Sequence, residues 1–132
     1  MREHSLTILA IAIGAICGTL LRYAMYINIT TAAFPLDTLL ENLLGSFILG
    51  ALTAYFLFKN FPTWLKAGLG IGFCGGFTTM STLAQDAVTL LQQGEMFIFL
   101  SYILLSAAGG IALAFFGYKI VENKLAPKEE TN

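Results

Sequence analysis

Four stretches of this chain run free of charge, or nearly so, for the length a helix needs to cross a membrane. A bilayer core of ~30 Å takes about 20 mainly apolar helical residues. Inside it no water satisfies the backbone, so a run of that kind closes its own hydrogen bonds as a helix. Residues 5–21 carry no charge and end at Arg22. Residues 36–58 are interrupted only by Asp37 and Glu41 near the start, residues 64–92 are uncharged between Lys66 and Asp86, and residues 96–118 are uncharged throughout. The expectation is an all-α membrane protein, one transmembrane domain over residues 1–132, with spans at about 5–22, 36–58, 64–92 and 96–120. The connections are too short to hold a soluble domain.

Composition removes several function classes. Only 11% of the residues are charged, against roughly 25% in soluble domains, so most of the surface does not face water. A net charge of −1 gives no electrostatic case for nucleic acid. Cys17 and Cys74 lie in apolar stretches with no further Cys or His nearby, which reads as two small buried hydrophobes. There is no phosphate-binding loop, and the sole histidine, His4, stands near the terminus, so no enzyme is expected. The first apolar stretch lacks a small-residue cleavage site and is read as a permanent span.

Orientation follows from the basic residues in the flanks. Four spans put both ends and the middle connection on one side. That side holds Arg2, Lys59, Lys66, Lys119, Lys124 and Lys128 and the other only Arg22, six against one. Both termini are therefore expected in the cytoplasm.

The third span carries the chemistry. Residues 72–82, Gly-Phe-Cys-Gly-Gly-Phe-Thr-Thr-Met-Ser-Thr, place three glycines and four hydroxyl residues in mid-span. Adjacent glycines weaken a helix by about 1 kcal/mol each against alanine, and hydroxyls take up the backbone groups a break releases. A helix broken near Gly75–Thr79 would present carbonyls that suit a hard cation such as sodium, together with donors that suit an anion; a polar seam between helices with no ion is the plainer reading. Asn42, in Asn-Leu-Leu-Gly-Ser46 of the second span, is either a clamp between helices or a donor facing a polar path. Tyr102 and Ser106 in the fourth span are spaced to share a helix face. Arg22 is either an interface anchor or a source of positive potential at an anion entrance. Small pairs at Gly14/Gly18, Ser46/Gly50 and Gly72/Gly76 let helices approach closely, within a subunit or across a dimer.

Residues 14–23 (Gly-Ala-Ile-Cys-Gly-Thr-Leu-Leu-Arg-Tyr), 38–47 (Thr-Leu-Leu-Glu-Asn-Leu-Leu-Gly-Ser-Phe) and 72–82, in this order and spacing, resemble the CrcB/Fluc family of fluoride channels. The resemblance covers nearly the whole chain. It implies a passive, fluoride-specific channel in the bacterial plasma membrane, built as an antiparallel dimer with pores along the subunit interface. It also implies a structural sodium ion held by backbone carbonyls, which fall here on Gly75 and Thr78. The family's fluoride path falls on Asn42, Ser81, Thr82 and Ser106. Two positions depart from the pattern. Met80 and Leu83 stand where the family usually has phenylalanines whose ring edges face the ion, and Glu41 stands where it has an apolar residue. An Arg22–Glu41 ion pair is the simplest account of the second departure.

Two other readings stay open at this stage. The chain is alternatively a partly degenerate assembly subunit that pairs with an oppositely oriented paralogue, which its one-sided charge favours. The last alternative is a proton-coupled exporter of the small multidrug resistance kind. That family keeps its essential Glu in the first span, where this chain has no acid.

Overall fold

The computed structural model describes residues 2–29 and 34–126. These form helices α1 (Arg2–Ile29), α2 (Leu36–Phe58), α3 (63–77), α4 (Met80–Gln92) and α5 (Met96–Leu125), with no strand among the described residues. Helices α1, α2 and α5 are each long and apolar enough to cross a membrane alone. The third expected span is divided between α3 and α4.

Two helices outrun their expected ends. Nothing after Arg22 breaks a helix: Tyr23, Ala24, Met25, Tyr26 and Ile27 include no Gly or Pro, so α1 continues to Ile29 rather than stopping at the charge. Likewise α5 runs past Lys119, whose ammonium pairs with Glu122 one turn on.

Backbone contact between helices organises the subunit. Helix α1 lies against α3, and a Cβ added at Gly14 would stand 2.1 Å from the Gly68 carbonyl oxygen; one at Gly18 would stand 2.2 Å from that of Phe73. From the other side, a Cβ added at Gly72 or Gly76 would come within 2.6 Å of the carbonyl oxygen of Ile11 or Ala15 respectively. Helices α2 and α5 are equally close at Gly50 and Gly117, where the same addition reaches the Ala114 oxygen at 1.9 Å and the Phe47 oxygen at 2.3 Å. The small-residue pairs thus serve packing within one subunit, as glycine does wherever two membrane helices touch by backbone.

Between α2, α4 and α5 a small core gathers Leu39, Leu90 and Tyr102, with Phe34, Leu43 and Leu83 packed on it. Tyr102 is fully buried, meets Phe34 edge to face at 5.7 Å, and donates its hydroxyl to Asp86 Oδ2 at 3.1 Å. Outside this core, large apolar side chains such as Ile8, Ile16, Leu20, Leu57, Leu104 and Ile111 are exposed on the single subunit, the surface expected of a chain whose solvent is lipid.

The break itself differs in detail from what its glycines suggest. Gly75 and Gly76 keep helical geometry, after a π-helical stretch over Gly68–Cys74. The chain leaves the helix at the two threonines instead: Thr78 (φ −77°, ψ 155°) and Thr79 (φ −144°, ψ 124°) are extended. Gly76 is needed for contact with α1, whereas a Cβ at Gly75 would meet no heavy atom within 4 Å. Helix α4 ends in a reciprocal pair of backbone bonds, Gly94 N–H to Leu91 O and Glu95 N–H to Leu90 O, closed by Gly94 at φ +78°, a conformation glycine adopts without strain.

Candidate functional site

A break inside a membrane span leaves backbone groups that must be satisfied by side chains. Here Asn42 on α2 does so with both poles of its amide. Its Nδ2 donates to the Thr79 carbonyl at 3.0 Å, and its Oδ1 accepts from the Thr79 N–H at 2.7 Å. In an unbroken helix that N–H would bond the Gly75 carbonyl; here it is diverted to Asn42. Thr78 turns back on the end of α3, donating both N–H and hydroxyl to the Cys74 carbonyl at 2.9 and 3.0 Å. Thr79 caps the start of α4, its Oγ1 accepting from the Thr82 N–H at 3.2 Å. The break is therefore a built joint, with α3 presenting its carbonyl end and α4 its amide end.

Two cavities flank the joint. One, of about 410 Å³, lies between α2, the joint and α5 and is lined by Asn42, Thr79, Met80, Leu83 and Ser106, among others. Ser106 Oγ is buried there with no hydrogen-bond partner among the described residues. Met80 is 76% exposed, projecting from the single subunit, while Leu83 leans on the core. The other cavity, of about 310 Å³, lies between α1, α2 and α4 and is lined by Arg22, Asp37, Glu41, Ser81 and Thr82 together with Thr19, Thr38 and two tyrosines.

The residues expected to share one path are thus divided: Asn42, Met80, Leu83 and Ser106 in the first cavity, Ser81 and Thr82 in the second. What joins the halves is Thr79, whose hydroxyl lies 3.0 Å from Thr82 Oγ1 and 3.3 Å from Ser81 Oγ. A chain of hydroxyls therefore passes through the joint from one cavity to the other. Thr79 was not among the candidate residues. The signal for it was the spacing Thr79-x-x-Thr82, a cap position three residues ahead of a polar residue at a helix start.

One sequence expectation is corrected by this geometry. Arg22 and Glu41 line the same cavity but form no ion pair; the one ion pair among the described residues is Lys119–Glu122. Tyr102 and Ser106, although on one helix face, serve different ends, since the Tyr102 hydroxyl is committed to Asp86 and Ser106 lines the cavity by Asn42. Among the described residues no group of His, Cys, Asp and Glu side chains is arranged to hold a metal.

The family model described as "CrcB-like protein, Camphor Resistance (CrcB)" matches residues 9–118. A protein of Halalkalibacterium halodurans named "Fluoride-specific ion channel FluC 2" is 45% identical over 98% of this chain and 96% of its own length. One of the same name from Bacillus subtilis is 45% identical over 82% of each chain. "Fluoride-specific ion channel FluC" from Leptospira interrogans is 39% identical over 92% of this chain and 98% of its own.

Proposed function

The chain belongs to the CrcB-like family, and on that premise we propose that it is a subunit of a fluoride-specific channel through which fluoride leaves the cytoplasm passively. The single observation that carries the reading is the joint at Thr78–Thr79, where Asn42 fixes the backbone and Thr79 links the hydroxyls of two cavities. Fluoride is small and strongly hydrated, so a pore must offer closely spaced donors in place of water. Ser81, Thr82, Thr79 and Ser106 hydroxyls supply them in sequence, and the second N–H of the Asn42 amide adds one more. A negative-inside potential drives an anion outward without metabolic energy.

The channel is an antiparallel dimer, with itself or with an oppositely oriented paralogue, in the bacterial plasma membrane, both termini of this chain being cytoplasmic. Support comes from the exposed Met80 and the open face at Gly75, neither of which a lone subunit uses. A structural sodium ion, held by the Gly75 and Thr78 carbonyls of both subunits, accounts for a carbonyl released at mid-span. The six-to-one charge bias favours the paralogue. A homodimer requires insertion both ways, so release of fluoride by this chain alone decides between the two assemblies.

Met80 and Leu83 supply bulk at the first cavity without the positive ring edges of phenylalanine. The reading is tested there. Reconstituted Met80→Phe, Leu83→Phe should release fluoride several-fold faster than the wild type. Absence of fluoride release from both proteins, with the paralogue as well as without it, would contradict the channel reading.

A further inference from the structure

Glu41 is the one charged side chain that is fully buried among the described residues: it is 3% exposed, it lines the cavity between α1, α2 and α4, and its Oε1 has no hydrogen-bond partner. An ionised carboxylate in a span is costly unless paired, and Arg22 in the same cavity does not pair with it. The groups that face Glu41 are few. Helix α1 presents Arg22, Tyr23 and Tyr26, and α2 itself presents Asp37 one turn earlier. Helix α4 brings Asp86, whose Oδ2 is taken by the Tyr102 hydroxyl from α5. The remaining lining of interest is Ser81 and Thr82, the near end of the hydroxyl chain.

We propose that this cavity is a proton-linked anion site: fluoride occupies it, between the Arg22 guanidinium and the Ser81 and Thr82 hydroxyls, when Glu41 carries a proton. The inference rests on the channel reading and adds to it a dependence on pH that an apolar residue at this position would not give. With Glu41 ionised, two carboxylates and one guanidinium share the cavity, and an arriving anion meets net repulsion in a poorly screened setting. With Glu41 protonated, one carboxylate and one guanidinium balance, the net repulsion is lifted, and its O–H becomes another donor to the anion. One proton is taken from the aqueous side as the anion binds and returned when the anion leaves. By linkage, fluoride in turn favours the protonated carboxyl.

Asp37 is half-exposed, and Asp86 has a hydrogen-bond donor. The burden of the pH response therefore falls on Glu41.

The test is fluoride release from vesicles holding the full chain, measured from about pH 5.5 to about pH 8.5 and corrected for protein-free vesicles. Wild-type release should rise as pH falls, at most about tenfold per pH unit, the limit for one linked proton. Glu41→Gln, which mimics the protonated carboxyl, should release fluoride at all pH values at least as fast as the wild type does at its acidic limit. Glu41→Asp and Asp37→Asn should keep the slope. A wild-type rate independent of pH overturns the proposal even if the glutamine variant does not fold, and so does a slope that survives in Glu41→Gln. No release from any of these proteins at any pH, with the paralogue as well as without it, overturns the channel reading itself, and with it this site.

Discussion

Asn42→Ala should stop fluoride release and lower the stability of the subunit by about 2–6 kcal/mol, taking about 1–3 kcal/mol for each buried partner left unsatisfied. The reason lies in the two bonds by which this amide holds the Thr79 N–H and carbonyl. In a soluble protein water would enter and take them over; at mid-span none is at hand. The N–H then returns to the Gly75 carbonyl, the helix tends to close, and the Thr79 hydroxyl is withdrawn from Ser81 and Thr82. Asn42→Asp keeps the acceptor for the Thr79 N–H but sets a carboxylate oxygen against the Thr79 carbonyl inside a span, so it should not restore stability, and its charge should still block an anion. Thermal unfolding in detergent and flux from vesicles, measured together, check both parts. Wild-type flux in the alanine variant would mean that the joint holds without its clamp.

The second large effect separates folding from assembly. Gly50→Ala should cost more than about 3 kcal/mol, beyond the usual range for overpacking. Its Cβ would stand 1.9 Å from the Ala114 oxygen and 2.7 Å from the carbonyl carbon, and backbone cannot turn aside as a side chain does. Helices α2 and α5 must then part. Gly75→Val should behave in the opposite way. No heavy atom lies within 4 Å of its Cβ position, so the subunit should fold, but the branched side chain intrudes where a partner and its shared sodium ion would sit. Size-exclusion chromatography should show Gly50→Ala lost as aggregate and Gly75→Val as a folded monomer, even in sodium. A Gly75→Val dimer that conducts would remove the dimer-axis cation from the account.

Length and apolarity made the helices legible, because the bilayer sets both. Their ends were less so: a single Arg22 is a guide to the interface and not a helix stop, and α1 ran on to Ile29. The broken span was legible from its composition, yet the break moved from the glycines to Thr78 and Thr79. Glycine in a membrane helix has two uses, flexibility and close approach, and sequence alone does not say which applies. Gly76 serves approach to Ala15 on α1, a partner some sixty residues away in the chain. Asn42 showed the same ambiguity between clamp and donor, and its amide is large enough to clamp with one N–H to spare. The division of the polar residues between two cavities could not be read from spacing, since it depends on which helices pack against α4. Nor could the isolation of Glu41 from Arg22, whose separation is set by the α1–α2 approach.

The central claim is selective passage of fluoride, and vesicles loaded with equal fluoride and chloride test it most directly. With the purified chain in the membrane, and its paralogue if it has one, fluoride should appear outside while chloride stays within. Release of both ions at equal rates, or of neither, would contradict the account.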